Sequence, residues 1–201
     1  MNELFPIYTK LAEIQTLVVG AGPIGLEKLQ ALLSNSPQAK VKVVAAAATA
    51  AFRSYVAPYK TVLFEERLFE DSDIQGVDLI ILATNDNVLN THIRNLARAQ
   101  HVLINVADKP ALCDFYLGSV VQKGNLKIGI STNGKSPTIA KRLKEFLQDL
   151  LPEEIDETLA LMQTMRASLK GDFQAKVKAL NAHTKDILTQ GITDYGSADK
   201  K

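Results

Sequence analysis

The sequence predicts an α/β fold: a doubly wound parallel sheet, then a small segment of different rhythm, then a helical C-terminal part. Three observations carry that expectation. Short apolar runs alternate with helix-like segments through residues 1–113. A glycine-rich turn separates the first run from the first helix. After Cys113 the alternation stops. Strands separated by helices of this length cannot pair as hairpins, so parallel pairing through βαβ crossovers follows.

The elements read in order. Thr16–Val19 is an apolar run that stops at Gly20. From Pro23 to Leu33, Ile24, Leu29, Leu32 and Leu33 recur at helical spacing, with Glu27, Lys28 and Gln30 between them. Ser34-Asn35-Ser36-Pro37 ends that helix. Val41–Val44 and Thr61–Phe64 are further strands. Val77–Ala83 is almost wholly apolar, as a strand covered on both faces must be, and Val102–Val106 is similar. Asn87–Ala99 between them fits a helix with Val88, Ile93 and Leu96 inward. Phe115–Val121 has little regular punctuation, Lys123-Gly124-Asn125 is a turn, and Leu126–Ser131 alternates like a half-exposed strand without an obvious partner. Ser136 is an N-cap and Pro137 occupies the first turn of a helix running to about Leu151. Residues 153 to about 188 read as helical, with Ile155, Leu159, Met162 and Leu169 on one face. The expected division is 1–113 for the sheet domain, 114–150 for a middle segment, 151–190 for a helical domain and 191–201 for a polar, disordered tail.

Composition narrows the function. Among 201 residues, hydrophobic side chains make up 46% and charged ones 22%, enough for a packed core. Lys plus Arg is 23 and Asp plus Glu is 22, a formal net charge of +1 that argues against a nucleic-acid partner. No apolar run approaches the roughly 18 residues of a membrane span, and the N-terminus MNELFPIYTK is unlike a signal peptide. Cys113 is the single cysteine, so no disulfide framework forms. It reads as a small buried apolar residue. A cytoplasmic, non-membrane protein is the expectation.

Gly20-Ala21-Gly22-Pro23-Ile24-Gly25 is a G-x-G-x-x-G between a strand and a helix. Gly20 permits the tight turn, Gly22 lets backbone approach a pyrophosphate, and Gly25 lets helix and sheet pack closely. Helix-start N–H groups then face the anion. Pro23 and Ile24 complete the cofactor loop, and Ala46 and Ala47 at the end of the second strand border the adenosine side. An NAD-binding domain usually places Asp or Glu there. Here the stretch is Val44-Ala45-Ala46-Ala47-Ala48-Thr49, so backbone groups or Thr49 must hold the ribose, and charge does not decide NAD against NADP. Thr84, Asn85 and Asp86 close another strand, on the edge where an open sheet binds its ligand.

These motifs form one series with Asn105-Val106-Ala107-Asp108 and with Ser131-Thr132-Asn133-Gly134-Lys135-Ser136-Pro137, which leads into Ile139-Ala140-Lys141-Arg142-Leu143. The series resembles the precorrin-2 dehydrogenase / sirohydrochlorin ferrochelatase family, the siroheme synthase N-terminal module. The likeness covers about residues 4–152 in pattern, and the loop at Ser131–Pro137 is its most specific element. Relatives commonly carry Val-Ala where this chain has Ile24-Gly25. The resemblance implies a Rossmann-like domain, a central dimerisation segment giving a homodimer, and a helical C-terminal domain. It implies NAD as cofactor, precorrin-2 as substrate and sirohydrochlorin as product. In some members a second reaction inserts ferrous ion, with cobaltous ion as another possible substrate, and the residues leave that activity open. A methyltransferase activity is not implied.

Asp108 is the candidate general acid/base, by its place after a strand and because the family's functional Asp occupies this motif. Its plainer reading is a cap of the turn before Lys109-Pro110. The carboxylate-fringed substrate needs hydrogen-bond donors and cations, for which Ser131, Thr132, Asn133, Lys135 and Arg142 are candidates. For any single Lys a solvated helix face is the plainer reading. No resident metal is expected: His92, His101 and His183 form no ligand pair. Two rivals stand beside this reading. A dinucleotide-sensing regulatory protein without catalysis has no use for the Ser131–Pro137 loop. A dehydrogenase of a small substrate needs a His or Lys proton donor in the cleft, and none is evident.

Overall fold

The computed structural model describes residues 2–153 and 155–168. The chain divides into two compact units, one at Phe5–Leu117 and the other comprising the first four residues with Gly118 onward. The expected helix beyond residue 168 and the polar tail lie outside the described residues, as does His183.

The larger unit is a five-stranded parallel sheet in the order β3-β2-β1-β4-β5. Its strands are β1 (Gln15–Ala21), β2 (Lys40–Ala48), β3 (Val62–Glu66), β4 (Leu79–Leu82) and β5 (Leu103–Val106). Helices α1 (Pro23–Asn35), α2 (Ala50–Val56) and α3 (Asn87–Ala99) make the crossovers. Leu17, Val18 and Val19 in β1 are all buried although they point alternately to opposite faces. Val18 packs in a cluster with Leu29, Leu33, Val43 and Phe52, whereas Leu17 and Val19 pack with Ile80, Leu82, Ile93 and Ile104. Two apolar layers therefore sandwich the sheet, which is why these strands lack a polar face.

Val88 of α3, expected inward with Ile93 and Leu96, is 81% exposed, because it lies about 140° round the helix from Ile93; Asn90 and Ala97 share the inner face with Ile93 instead. Sequence expectation and structure otherwise agree on the type of these elements and differ in two further places. The alanine run continues β2 instead of ending it, and α2 follows from Ala50, capped by Thr49. Val19 pairs with Val44 but Ala21 pairs with Ala48, so β2 bulges outward and leaves Ala46 and Ala47 exposed.

In the smaller unit, β6 (Ser119–Lys123) pairs antiparallel with β7 (Leu126–Ile130) across a turn at Gly124. The expectation that the second of these strands lacks a partner in its own chain is thus corrected. That partner is β6, whose apolar Val120-Val121 pair is too short to announce a strand. Helix α4 (Pro137–Leu150) begins at the expected cap, with the Ser136 hydroxyl accepting from the Ile139 N–H at 3.2 Å. Helix α5 spans Ile155–Ser168.

Candidate functional site

The glycine turn sits at the carboxyl end of β1, beside β4, where strand connections diverge to opposite directions. Gly20 has φ +111°, and a Cβ there would stand 2.5 Å from the Ala83 carbonyl oxygen. A side chain on Gly25 would collide with the carbonyl of Gly20. These two glycines are needed for the chain to pass itself. Gly22 differs: a Cβ on it would meet nothing within 4 Å. Its neighbourhood is open space at the N-terminus of α1, where no side chain caps the helix and Pro23 removes one donor. The remaining first-turn donors, including Ile24, face that space. A backbone cradle without side chains, at the positive end of a 13-residue helix, fits a dinucleotide pyrophosphate.

On the same edge of the sheet, Ala83 donates its N–H to the Val19 carbonyl at 2.8 Å and brings Thr84 beside the glycine turn. The Thr84 hydroxyl donates to Asn90 Oδ1 at 2.7 Å, and Asn90 Nδ2 returns a bond to the Thr84 carbonyl at 3.0 Å. Asn90 is 0% exposed, so this pair locks the loop to α3. Asn85 is exposed. Asp86 is the N-cap of α3, where one carboxylate oxygen accepts from the Val88 and Leu89 N–H groups at 2.9 and 3.0 Å. Thr49, considered for the ribose, accepts from the Phe52 N–H as the cap of α2.

Asp108 follows β5 in a left-handed conformation, φ +58°, which Asp tolerates better than most residues. It is exposed, and among the described residues its carboxylate has no hydrogen-bond or ion-pair partner. The turn is closed by backbone instead, with the Lys109 N–H donating to the Val106 carbonyl at 3.2 Å. Cys113, expected as a small buried apolar residue, is instead half-buried and uses its thiol to brace this turn, because the chain after β5 folds back over the Val106 backbone. The Cys113 thiol accepts from the Val106 N–H at 3.2 Å and lies within 3.3 Å of the Val106 and Lys109 carbonyls. Burial pushes its pKa up, which keeps the proton available for those carbonyls. Asp114 clamps Arg94 with two bonds of 2.7 Å and accepts from the Ile104 N–H. Asn105 donates to the Phe115 carbonyl at 2.8 Å. A buried Asn in an apolar strand was the available signal for these ties, which sequence reading missed.

The remaining candidates belong to the smaller unit. In the loop before α4, Ser131 Oγ accepts from the Asn133 N–H. Thr132 Oγ1 accepts from the Ser136 N–H and donates to the Ser136 carbonyl, both at 3.2 Å. The hydroxyl proton of Thr132 is therefore engaged within the loop. Asn133 and Gly134 have φ +55° and +72°, and the Lys135 N–H donates to the Thr132 carbonyl at 3.1 Å. Ser131, Asn133, Lys135 and Arg142 are exposed. Lys141 pairs loosely with Glu145 at 3.9 Å.

His92 contacts Asp71 at 2.7 Å on the surface. Among the described residues, no three His, Cys, Asp or Glu side chains gather closely enough to hold a metal ion, and no helix is long and apolar enough to cross a membrane.

Comparison with known proteins agrees with this geometry. Residues 7–119 match the family described as "Putative NAD(P)-binding", and residues 123–150 match "Sirohaem biosynthesis protein central". The chain is 31% identical to the siroheme synthase of Pseudoalteromonas atlantica over 88% of its own length and 37% of that protein. It is 34% identical to the siroheme synthase of Vesicomyosocius okutanii over 92% of its length and 37% of that protein. It thus spans little more than a third of these relatives. The solved structure of SirC, precorrin-2 dehydrogenase, superposes with a TM-score of 0.69 at 22% identity, covering 94% of this chain and all of that one. The Rossmann-like architecture is shared with that protein. By the span of those matches, this chain belongs to the putative NAD(P)-binding family of siroheme-synthase relatives.

Proposed function

We propose that this chain dehydrogenates precorrin-2 to sirohydrochlorin with NAD as hydride acceptor. One observation carries the reading: the open cradle at Gly22 and the unpartnered carboxylate of Asp108 lie on the same edge of one parallel sheet. They are two strands apart, about 10 Å at ordinary strand spacing. The relatives named siroheme synthase and the shared fold with a precorrin-2 dehydrogenase support it.

Bound NAD supplies a site for the hydride leaving a substrate C–H bond. The first turn of α1 holds the pyrophosphate, and the locked Thr84 loop borders the nicotinamide side. Loss of two hydrogens as a hydride and a proton requires a base, and Asp108 accepts the proton. On the smaller unit, exposed Ser131, Asn133, Lys135 and Arg142 are suited by their chemistry to carboxylate groups, while Thr132 shapes their loop. The domain limits 1–113, 114–150 and 151–190 remain part of this proposal.

Ferrous-ion insertion is a second reading, because the same free carboxylate would accept pyrrole protons displaced by the metal. A homodimer through residues 114–150 is also proposed. It is supported by Ile139 and Leu143, which lie along one face of α4 and are 55% and 43% exposed.

The test mixes the protein with precorrin-2 and NAD and follows sirohydrochlorin and NADH absorbance. Stoichiometric appearance of both is expected. NAD binding without turnover would favour a sensor. A second arm with sirohydrochlorin and ferrous or cobaltous ion tests insertion.

A further inference from the structure

The second strand lacks the acidic residue that normally recognises an adenosine ribose, yet the adjacent strand ends in a carboxylate. Glu66, the last residue of β3, is in register with Ala45 of β2, near Ala48. Ala48 is in turn in register with Ala21, one residue from the Gly22 cradle, and the Thr49 N–H donates to the Ala21 carbonyl at 3.1 Å. The β2 bulge leaves Ala46 and Ala47 exposed beside this strand end, with no side chain longer than a methyl. Arg53 of α2 grips the Glu66 carboxylate, with Nε at 3.1 Å from Oε2 and Nη2 at 2.5 Å from Oε1.

From this arrangement, and resting on the dinucleotide reading above, we infer that Glu66 is the ribose-recognising acid and that the Glu66–Arg53 pair selects NAD over NADP. A carboxylate offers about four acceptor positions, of which Arg53 uses two, leaving room for a ribose hydroxyl. A 2′-phosphate at the same place would face a negative charge. Arg53, the one cation that would welcome it, is neutralised by its bidentate partner. Without Glu66 the guanidinium becomes free to bind that phosphate. The small alanines are then explained: any longer side chain in the bulge would cover the acid.

Titration of NADH and NADPH by fluorescence or calorimetry tests this without reference to turnover. The wild-type protein is expected to bind NADH at least about tenfold more tightly than NADPH. Glu66→Ala should weaken NADH a few-fold and strengthen NADPH by about tenfold, collapsing the ratio. The double variant Glu66→Ala/Arg53→Ala should lose the gain for NADPH. Glu66→Gln, which keeps the shape and removes the charge, guards against a folding defect and should shift the ratio the same way. Equal affinities in the wild type, or an unchanged ratio in both Glu66 variants, would make the pair a mere tie between α2 and β3. Failure of the wild-type protein to bind either dinucleotide would overturn the dinucleotide reading and this assignment with it.

Discussion

Side chains at two positions in the sheet domain carry opposite duties, and their surroundings say which is which. Asp108 is exposed, conformationally constrained and without a partner among the described residues, a costly arrangement for a purely structural residue. Asp108→Asn keeps the left-handed conformation available and removes the base. It should lower turnover at least about 100-fold while dinucleotide affinity, read by titration, stays within a factor of two or so. Asp73 is the reverse case. It is 3% exposed and receives Arg67 at 2.5 and 2.9 Å, Lys42 at 2.8 Å and the Glu70 N–H at 2.9 Å. Those donors, Arg67 first, hold its carboxyl far below the usual value of 3.8 despite the opposing cost of burial. A depressed folded pKa means the stabilisation is complete at neutral pH and fades as acid protonates the group. Asp73→Asn should therefore cost about 2 kcal/mol in urea unfolding at pH 7, discounted from the buried-pair range because both cations are partly exposed. The gap to wild type should narrow below about pH 4.

Among the elements, helix starts were the most legible feature and strand ends the least. The Ser136-Pro137 signal and the helix at Asn87–Ala99 follow directly from capping and spacing rules, and both are where those rules put them. Capping depends on residues within three positions, so local sequence suffices. The extension of β2 through four alanines depends instead on β1 and β3 lying on either side to accept its backbone bonds. Alanine itself favours no strand. Likewise β6 exists because β7 returns to it. Asp86→Ala should destabilise the sheet domain by about 1 kcal/mol in chemical denaturation, through the two α3 donors left without a partner. The same substitution changes a loop at the proposed nicotinamide side, so a loss of dinucleotide affinity should accompany it.

At the scale of the whole molecule, the apolar stripe on α4 requires a cover. A second copy of the chain is the proposed one, and sedimentation at micromolar concentration should show a dimer. Ile139→Lys together with Leu143→Lys should shift it to monomer; an unchanged dimer would move the interface elsewhere.

The sequence by itself determined the parallel sheet with its five strands, the helices at Pro23 and Asn87, the glycine turn at Gly20–Gly25 and the place of Asp108 after the last strand. These depend on periodicity, on glycine sterics and on position after a strand, all of which are local properties of a chain. Only the tertiary structure decided that Thr84 spends its proton on Asn90 of α3 and Thr132 inside its own loop, that Cys113 braces the Asp108 turn, and that Glu66 ends the strand beside β2. Each of those joins residues from different elements or opposite ends of a turn. Only folding sets the distance on which such a hydrogen bond depends.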